Sequence, residues 1–408
     1  MKAVGIVTEY NPFHNGHLYH AEQAKRVSGA EAVVAVMSGN FLQRGEPAIV
    51  DKWTRTSMAL ENGVDLVIEL PYASATANAP VFSEGAIRLL DAAGCSSFCF
   101  GSEAGSIEPF MNTMERLQAV RPEYEESIRA AVQTGMSYPK ALNEAYQSLV
   151  HNSFEETSTV DLSKPNNILG FHYIEASTGI GSSMTPLTVP RLGAGYYDDI
   201  SVHTHIASAT GIRKEIFSRS AQDNPLDSIQ PFVPAETYEM LSSWLTSRSH
   251  FGSWEHFYPM LRFQILRSGP RELARIADMT EGIEHAFYKA AKTAADFPSF
   301  MALVKSKRYT WTRLQRMLTH IFTGVTRDMR EKASVPDHLR ILGATPVGRR
   351  YLKLHKEDLQ LPAVSRLASY DSAAARLSAH VSDSYAFGID PLQPLIGLDY
   401  KTPPILKG

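Results

Sequence analysis

Residues 3–20 read AVGIVTEYNPFHNGHLYH. Ala3–Thr8 is a short apolar run suited to a buried strand, Asn11-Pro12 is a turn dipeptide, and His17–Val27 carries a helical pattern. A strand that turns into a helix aims the helix's unpaired N–H groups and positive dipole end beyond the carboxyl end of the strand. Gly16 stands where a phosphate can approach the backbone closely. His14 and His17, at i and i+3, share one helical face. Two imidazoles there can donate hydrogen bonds to phosphate oxygens and stabilise the charge that builds as pyrophosphate leaves. His-x-x-His alone is a weak signal, and accident or metal ligation competes with it. The strand, Pro12, Gly16 and the helix taken together favour a nucleotide.

Outward from this segment the pattern repeats. Glu31–Met37, Val64–Leu70 and Ser97–Phe100 read as strands, and Lys52–Asn62 and Phe82–Ala93 as helices, with Gly63 and Gly94 as stops. Alternation with short links predicts βαβ units and a parallel sheet, whose ligands sit beyond the carboxyl ends of the strands. Residues 106–160 read as mainly helical, an insertion into this unit. Leu187–Val189 and the stretch near Ser201–His205 offer further strand, with a helix from Gly211. Beyond about residue 220 long helical patterns dominate, interrupted by Pro270 and Pro298. The expected division is therefore 1–220 and 221–408.

The 408 residues exceed what one hydrophobic core usually serves. Apolar and charged fractions of 44% and 20% are those of a soluble globular protein. No run of about 18 apolar residues is present, and the first residues meet Pro12 too soon for a secretory signal. Cys95 and Cys99 form no disulfide framework, which fits a reducing cytoplasm. The remaining histidines show no zinc spacing, so no metal site is expected. The net charge of −3 conceals an asymmetry: residues 301–356 hold 13 lysines and arginines against Asp328, Glu331 and Asp337, a local charge of +10. Within that segment Lys305, Lys307, Arg308, Arg313 and Arg316 alternate with Tyr309 and Trp311, cations for phosphates and rings for unpaired bases. A solvated helix face with core aromatics is the competing reading. The whole points to a polyanion partner such as RNA.

The segment at 14–17 resembles the HxGH signature of the nucleotidylyltransferase superfamily. A wider set resembles the tRNA(Met) cytidine acetate ligases: TEYNPFHNGHLYH (8–20), SGNFLQRGEPAIVDKWTR (38–55), ELPYASATANA (69–79), FGSE (100–103), KPNNILG (164–170), PRLGAGYYD (190–198) and IASATGIRK (206–214). The fold this implies is α/β, a Rossmann-like catalytic domain over 1–220 and a mainly α-helical, tRNA-binding domain over 221–408. The resemblance implies ATP contacts along Val7, Thr8, Glu9, Tyr10, Asn11, Pro12, Phe13, His14, Asn15, Gly16, His17, Leu18, Tyr19 and His20. His14 and His17 are the catalytic pair. It adds Gly101, one of Asn166 and Asn167, Arg191, Ser208, Thr210 and Arg213. The superfamily's Ser-Ser/Thr-x-Ile-Arg pattern has Ala209 in place of a hydroxyl here. Arg44, Lys52 and Arg55 are candidates for orienting the carboxylate or the adenylate, against a reading as internally paired loop charges.

The expected activity is acetate activation by ATP, with magnesium on the phosphates, and acetyl transfer to N4 of the wobble cytidine of elongator tRNA(Met). Two rivals stand beside it: an adenylyltransferase for a phosphorylated cofactor precursor, and a tRNA-binding protein without catalysis. Neither a membrane nor a protein partner is expected.

Overall fold

The computed structural model describes residues 1–134, 136, 138–149, 159–191, 205–218, 224–248, 250–280 and 282–408. Its sheet contains β1 (Ala3–Thr8), β2 (Ala32–Ser38), β3 (Leu66–Leu70), β4 (Ser97–Ser102), β5 (Thr185–Pro190), β6 (Leu339–Ala344), β7 (Ala363–Val364) and β8 (Ile405–Leu406). The order is β5-β4-β1-β2-β3-β6-β7, with β8 also on β6. The first five strands are parallel to their neighbours, and β6 joins β3 antiparallel. The helices are α1 (Asn15–Ser28), α2 (Lys52–Glu61), α3 (Tyr72–Ala75), α4 (Ala79–Ala92), α5 (Glu108–Ala119), α6 (Arg121–Gln133), α7 (Tyr138–Leu149), α8 (Pro165–Gly179) and α9 (Ala209–Ser218). They continue with α10 (Ala235–Arg248), α11 (Trp254–Leu273), α12 (Ile283–Thr293), α13 (Phe297–Val304), α14 (Trp311–Thr323), α15 (Arg327–Lys332), α16 (Pro346–Leu354), α17 (Ala373–Ile389) and α18 (Leu398–Lys401).

Every residue of β2 is buried, as a central parallel strand requires. Its period of two splits it between layers: Val33, Ala35 and Met37 join the core built with α1, α2 and the helices beyond residue 220. Ala32, Val34 and Val36 face the core of α4, α8 and the expected helical insertion, α5–α7. Because β1 pairs with β2 on one side and β4 on the other, the chain reverses direction across the sheet at β1/β4. That crevice is where such a sheet binds ligands.

The expected strands at Ala3–Thr8, Glu31–Met37, Val64–Leu70, Ser97–Phe100 and Leu187–Val189 are present with small end shifts. Residues 201–204 lie outside the described residues, so the strand expected near Ser201–His205 has no counterpart to compare. The division at about residue 220 does not separate sheet from helices. The run Leu339–Ala344, inside the segment read as helical, buries all six residues as β6, and β7 and β8 pair with it. An edge strand added from a distant part of the chain carries no local signal beyond its own six residues.

The layers meet at a loop. Gln43–Pro47 turns tightly, with the Gly45 N–H donating to the Leu42 carbonyl and Phe41 bridging Pro47. The Gly45 carbonyl accepts from Trp254 Nε1 and Thr319 Oγ1, both at 2.9 Å. Gly45 has φ +73°, and a Cβ on it would lie 2.3 Å from the Arg316 backbone nitrogen. Gly45→Ala therefore combines a left-handed backbone cost of about 1–2 kcal/mol with an overpacking cost of about 1–3 kcal/mol. Denaturant unfolding is expected to show a loss within that combined range, and a midpoint equal to the parent's would contradict the contact.

Candidate active site

His14 is the N-cap of α1. Its Nδ1 accepts the Gly16 N–H at 3.0 Å, while His17 Nδ1 accepts the His14 N–H at 3.3 Å. This reciprocal capping box is built from two imidazoles instead of the usual hydroxyl and carboxylate. A neutral imidazole whose Nδ1 accepts must carry its proton on Nε2, so the hydrogen-bond network assigns both rings as Nε2–H donors. The rings stack with centroids 3.7 Å apart. Gly16 is required by this geometry: a Cβ there would sit 2.9 Å from the His14 ring. The close approach it permits is thus first that of the imidazole.

The electrostatics keep the rings neutral. Burial, then the charges of Arg191 and Arg213, push His14 down to about 3. Burial and the neighbouring His14, His20 and Arg191 hold His17 well below its ordinary value. Burial and Arg191 take His20 down to about 4, against the pull of a hydrogen bond to the Cys99 backbone. Two Nε2–H donors and a helix N-terminus lie near the guanidiniums of Arg191 and Arg213, the second of which is paired with Glu46. Such a set accepts a phosphate chain and requires little reorganisation as charge develops.

The turn before the helix is held from several directions. Tyr10 adopts φ +50° and the Asn11–Pro12 peptide is cis. The Asn11 side chain accepts from Ile49 N at 2.7 Å, and its carbonyl accepts from Arg213 Nη1 at 2.8 Å. Asn15 Nδ2 donates to the carbonyls of His205 and Pro231 at 2.8 and 3.0 Å. Glu9 accepts from Gln43 N at 2.7 Å and from Ser38 Oγ at 3.3 Å. Burial raises its carboxyl pKa despite that bond, with Glu46 adding to the rise.

Across the crevice, Arg191 passes over Gly101, where a Cβ would meet its Cγ at 3.4 Å. Arg191 Nη1 donates to Asn166 Oδ1 at 2.7 Å, and Asn166 Nδ2 donates to Glu103 Oε1 at 2.6 Å. Of the two amides left open by the sequence, Asn167 is committed to the fold. It is buried, accepts from Glu103 N and Ala104 N, and donates to the Asp161 carbonyl. Asn166 is the surface amide beside Arg191. Glu103 was quoted in its motif without a role, since a glutamate ending a strand has no distinctive signal. Ser208 caps α9 through Gly211 N at 3.1 Å, so its hydroxyl is engaged, while Thr210 is half-exposed in the first turn. Arg213 also pairs with Glu46 at 2.9 Å. Gly193 and Gly195 lie outside the described residues.

Four expectations are corrected. Lys52 is fully buried and pairs with Glu69 at 2.7 Å and Asp399 at 2.5 Å, so it is no loop charge awaiting a carboxylate. Arg55 is likewise fully buried, bound to main-chain oxygens of Glu9, Ser38, Gly39 and Val50. Both sit at the buried start of α2, where their stems satisfy the packing and their heads satisfy strand-end acceptors. Arg44 stays half-buried on its loop, and its charge acts on Glu9. In the basic segment, Tyr309 is only 5% exposed, with Arg313 over its ring at 5.1 Å, so that ring offers no face to a base. Arg316 lies against Asp278 at 3.8 Å, and burial takes its pKa down to about 10. Lys305, Lys307 and Arg308 are exposed, Trp311 is 44% exposed, and Arg313 is half-buried.

A family model described as HIGH nucleotidyl transferase matches residues 1–393. A Lysinibacillus sphaericus protein named tRNA(Met) cytidine acetate ligase is 51% identical over 407 residues, covering 99% of this chain and 100% of the relative. A Geobacillus protein of the same name is 42% identical over 410 residues, covering 100% of each. A solved structure of Thermotoga maritima TmcAL bound with alpha-thio ATP superposes with a TM-score of 0.87 at 31% identity, covering 100% of this chain and 99% of that one.

The depressed histidine pKa values set a sign for acid sensitivity. The unfolded chain protonates these rings near 6.5 and the folded one only near 3 to 4, so their contribution to stability is complete above about 6.5 and is lost as pH falls toward those lower values. Each ring contributes at most about 1.4 kcal/mol per pH unit. His14→Asn keeps a capping side chain and removes one titration. Ligand-free thermal melts from pH 7 to pH 5 are expected to show a shallower decline for the variant; parallel curves would mean His14 is not held neutral.

Proposed function

The chain belongs to the tRNA(Met) cytidine acetate ligase family of HIGH nucleotidyl transferases, and from that membership we propose that it activates acetate with ATP and transfers the acetyl group to N4 of the wobble cytidine of elongator tRNA(Met). The observation that carries the first step is the capping box, which turns the Nε2–H groups of His14 and His17 into donors at the end of α1. An acetate oxygen attacks the α-phosphorus in line, the bond to the β,γ-diphosphate breaks, and both donors share the charge of departing pyrophosphate. Arg191 holds the phosphates from across the crevice, and Arg213, bonded to the Asn11 carbonyl, from beside the turn. The cytidine amine then attacks the acetyl carbonyl and forms the N4–C bond; the bond from that carbon to the bridging phosphate oxygen breaks, AMP leaves with its electron pair, and the N4 proton passes to solvent. That amine is a poor nucleophile because its lone pair is delocalised, so an activated acid and close positioning supply the rate. Among the described residues no cluster of three His, Cys, Asp or Glu could hold an ion. Magnesium in this scheme travels with the phosphates and neutralises their charge, with no step assigned to it.

The second step needs the tRNA beside the nucleotide, and the Gln43–Pro47 loop supports that arrangement. One side of the loop touches Glu9 of the nucleotide turn and Arg213 of α9, and the other packs on the backbone of α14 at Gln315 and Arg316. The exposed cations Lys305, Lys307 and Arg308 precede that helix. The activity places the protein where ATP and tRNA meet, in the cytoplasm. Among the described residues no helix is long and apolar enough to cross a membrane.

Incubation with ATP, labelled acetate and tRNA is expected to place label in N4-acetylcytidine at the wobble position. His17→Ala is expected to lower acetate-dependent pyrophosphate release by about 100- to 1,000-fold while tRNA binding persists. No label in tRNA, while a mononucleotide acceptor is consumed and pyrophosphate is released, would support a cofactor adenylyltransferase. Undiminished turnover in His17→Ala would remove the proposed role.

For the RNA surface, Lys305, Lys307 and Arg308 replaced together by Ala are expected to weaken tRNA binding. The salt dependence of log K should flatten by roughly 0.7–0.9 per lost phosphate contact, with ATP affinity retained. An unchanged salt slope would return those residues to ordinary surface.

A further inference from the structure

Away from the histidines, a partly open cleft lies between the start of α2, the end of α10, α17 and the segment around α18. Its aromatic side chains are Trp53, Trp244 and Tyr385, and its charged ones are Asp51, Asp383, Asp390 and Asp399 with Arg248. The four carboxylates outweigh the guanidinium, so the cleft repels phosphate and attracts positive charge.

Three of these carboxylates have structural roles. Asp51 caps α2 through Thr54 N, Asp383 accepts from Gly397 N, and Asp390 accepts from Leu392 N and Gln393 N. Asp399 differs. It is 1% exposed, its Oδ1 meets Lys52 Nζ at 2.5 Å, and its Oδ2 has no hydrogen-bond partner. A buried carboxylate oxygen without a donor costs free energy, so its persistence marks a place for one. Among the rings, Trp53 already carries Lys52 Nζ at 5.7 Å and Arg340 Cζ at 5.6 Å from its centroid. The Tyr385 hydroxyl is bound to the Ala48 carbonyl and its ring packs on Phe41 and Phe257. Trp244 is bound through its Nε1 to the His250 carbonyl, which fixes the ring at the cleft wall.

An unpaired buried acceptor, an excess of carboxylates and a fixed indole together meet the needs of one ligand chemistry. A primary amine or guanidinium supplies the N–H donors, its charge favours the carboxylates, and its alkyl stem fits Ile389, Leu395 and Leu398 beside the edge of Trp244. We propose that this cleft binds a small organic cation whose N–H groups reach Asp399 Oδ2 and whose stem lies along Trp244. The site is separate from the nucleotide crevice and does not depend on the acetyl-transfer reading.

The test is calorimetric titration of the full chain, its nucleotide site filled with a non-hydrolysable ATP analogue, with 1,4-diaminobutane and with agmatine. Sodium chloride at matched ionic strength and 1,4-butanediol serve as controls. A dissociation constant below about 1 mM for either amine, with neither control binding, is expected. Asp399→Asn should weaken it at least tenfold. Because that change also disturbs Lys52, Ala386→Phe supplies a second variant: Ala386 lines the cleft from α17, half-buried, and the larger ring fills the space. It should abolish amine binding with the circular dichroism melt retained. No amine heat beyond that of salt, or equal binding in Ala386→Phe, would overturn the proposal.

Discussion

Arg55 lies fully buried at the start of α2, and its guanidinium binds main-chain oxygens of Glu9, Ser38, Gly39 and Val50. A buried charge is tolerated only when its donors are satisfied, and here the acceptors are carbonyls where β1 and β2 end. Hydrogen bonds from a charged donor are worth about 1.5–3 kcal/mol each. Those bonds fix where the chain leaves β1, and with it where α1 begins. The orientation of His14 and His17 follows, because the capping box leaves each ring little choice once the first turn is placed. The candidate site thus depends on a residue whose guanidinium is spent on main-chain oxygens.

Next to it, Lys52 joins Glu69 at the end of β3 to Asp399 near the end of the chain. Removing one partner of such a buried group costs about 3–5 kcal/mol. The two cations of α2 therefore tie three strand ends and the C-terminal segment into one body. The Gln43–Pro47 loop sits between them and the helices, with Gly45 packed on α14. Positioning of the nucleotide and placement of the basic surface are linked mechanically through this loop, although they derive from segments about 270 residues apart.

The basic segment shows how one run of sequence divides its labour. Arg316 and Arg330 surround Asp278, which holds a left-handed φ of +59° and whose carboxyl is kept well below the usual range. Burial works against that shift, and His320 with the two arginines overcomes it. Tyr309 and Arg313 pack together at the Thr280 turn. The cations before α14 remain at the surface with Trp311, as do Arg327, Lys332, Arg349, Arg350, Lys353 and Lys356 further along. A count of charges gives the potential of a region, but burial decides which of them a partner meets.

How much was legible in the sequence can be argued from particular residues. Ala3–Thr8 followed by Pro12, His14, Gly16 and His17 determined a strand, a turn and a helix N-terminus, because period, turn chemistry and helix-end chemistry act within a few residues. The five parallel strands were readable for the same reason. The roles of Lys52, Arg55, Tyr309, Arg316 and Asn167 were not, since a side chain's function depends on which distant backbone groups it meets. Nor was β6 readable, six residues whose partner strand lies some 270 positions earlier in the chain. Local sequence determined the elements and the kind of chemistry; the tertiary structure alone decided which polar groups are consumed in holding the fold, because desolvation and partner geometry exist only once the chain has closed on itself.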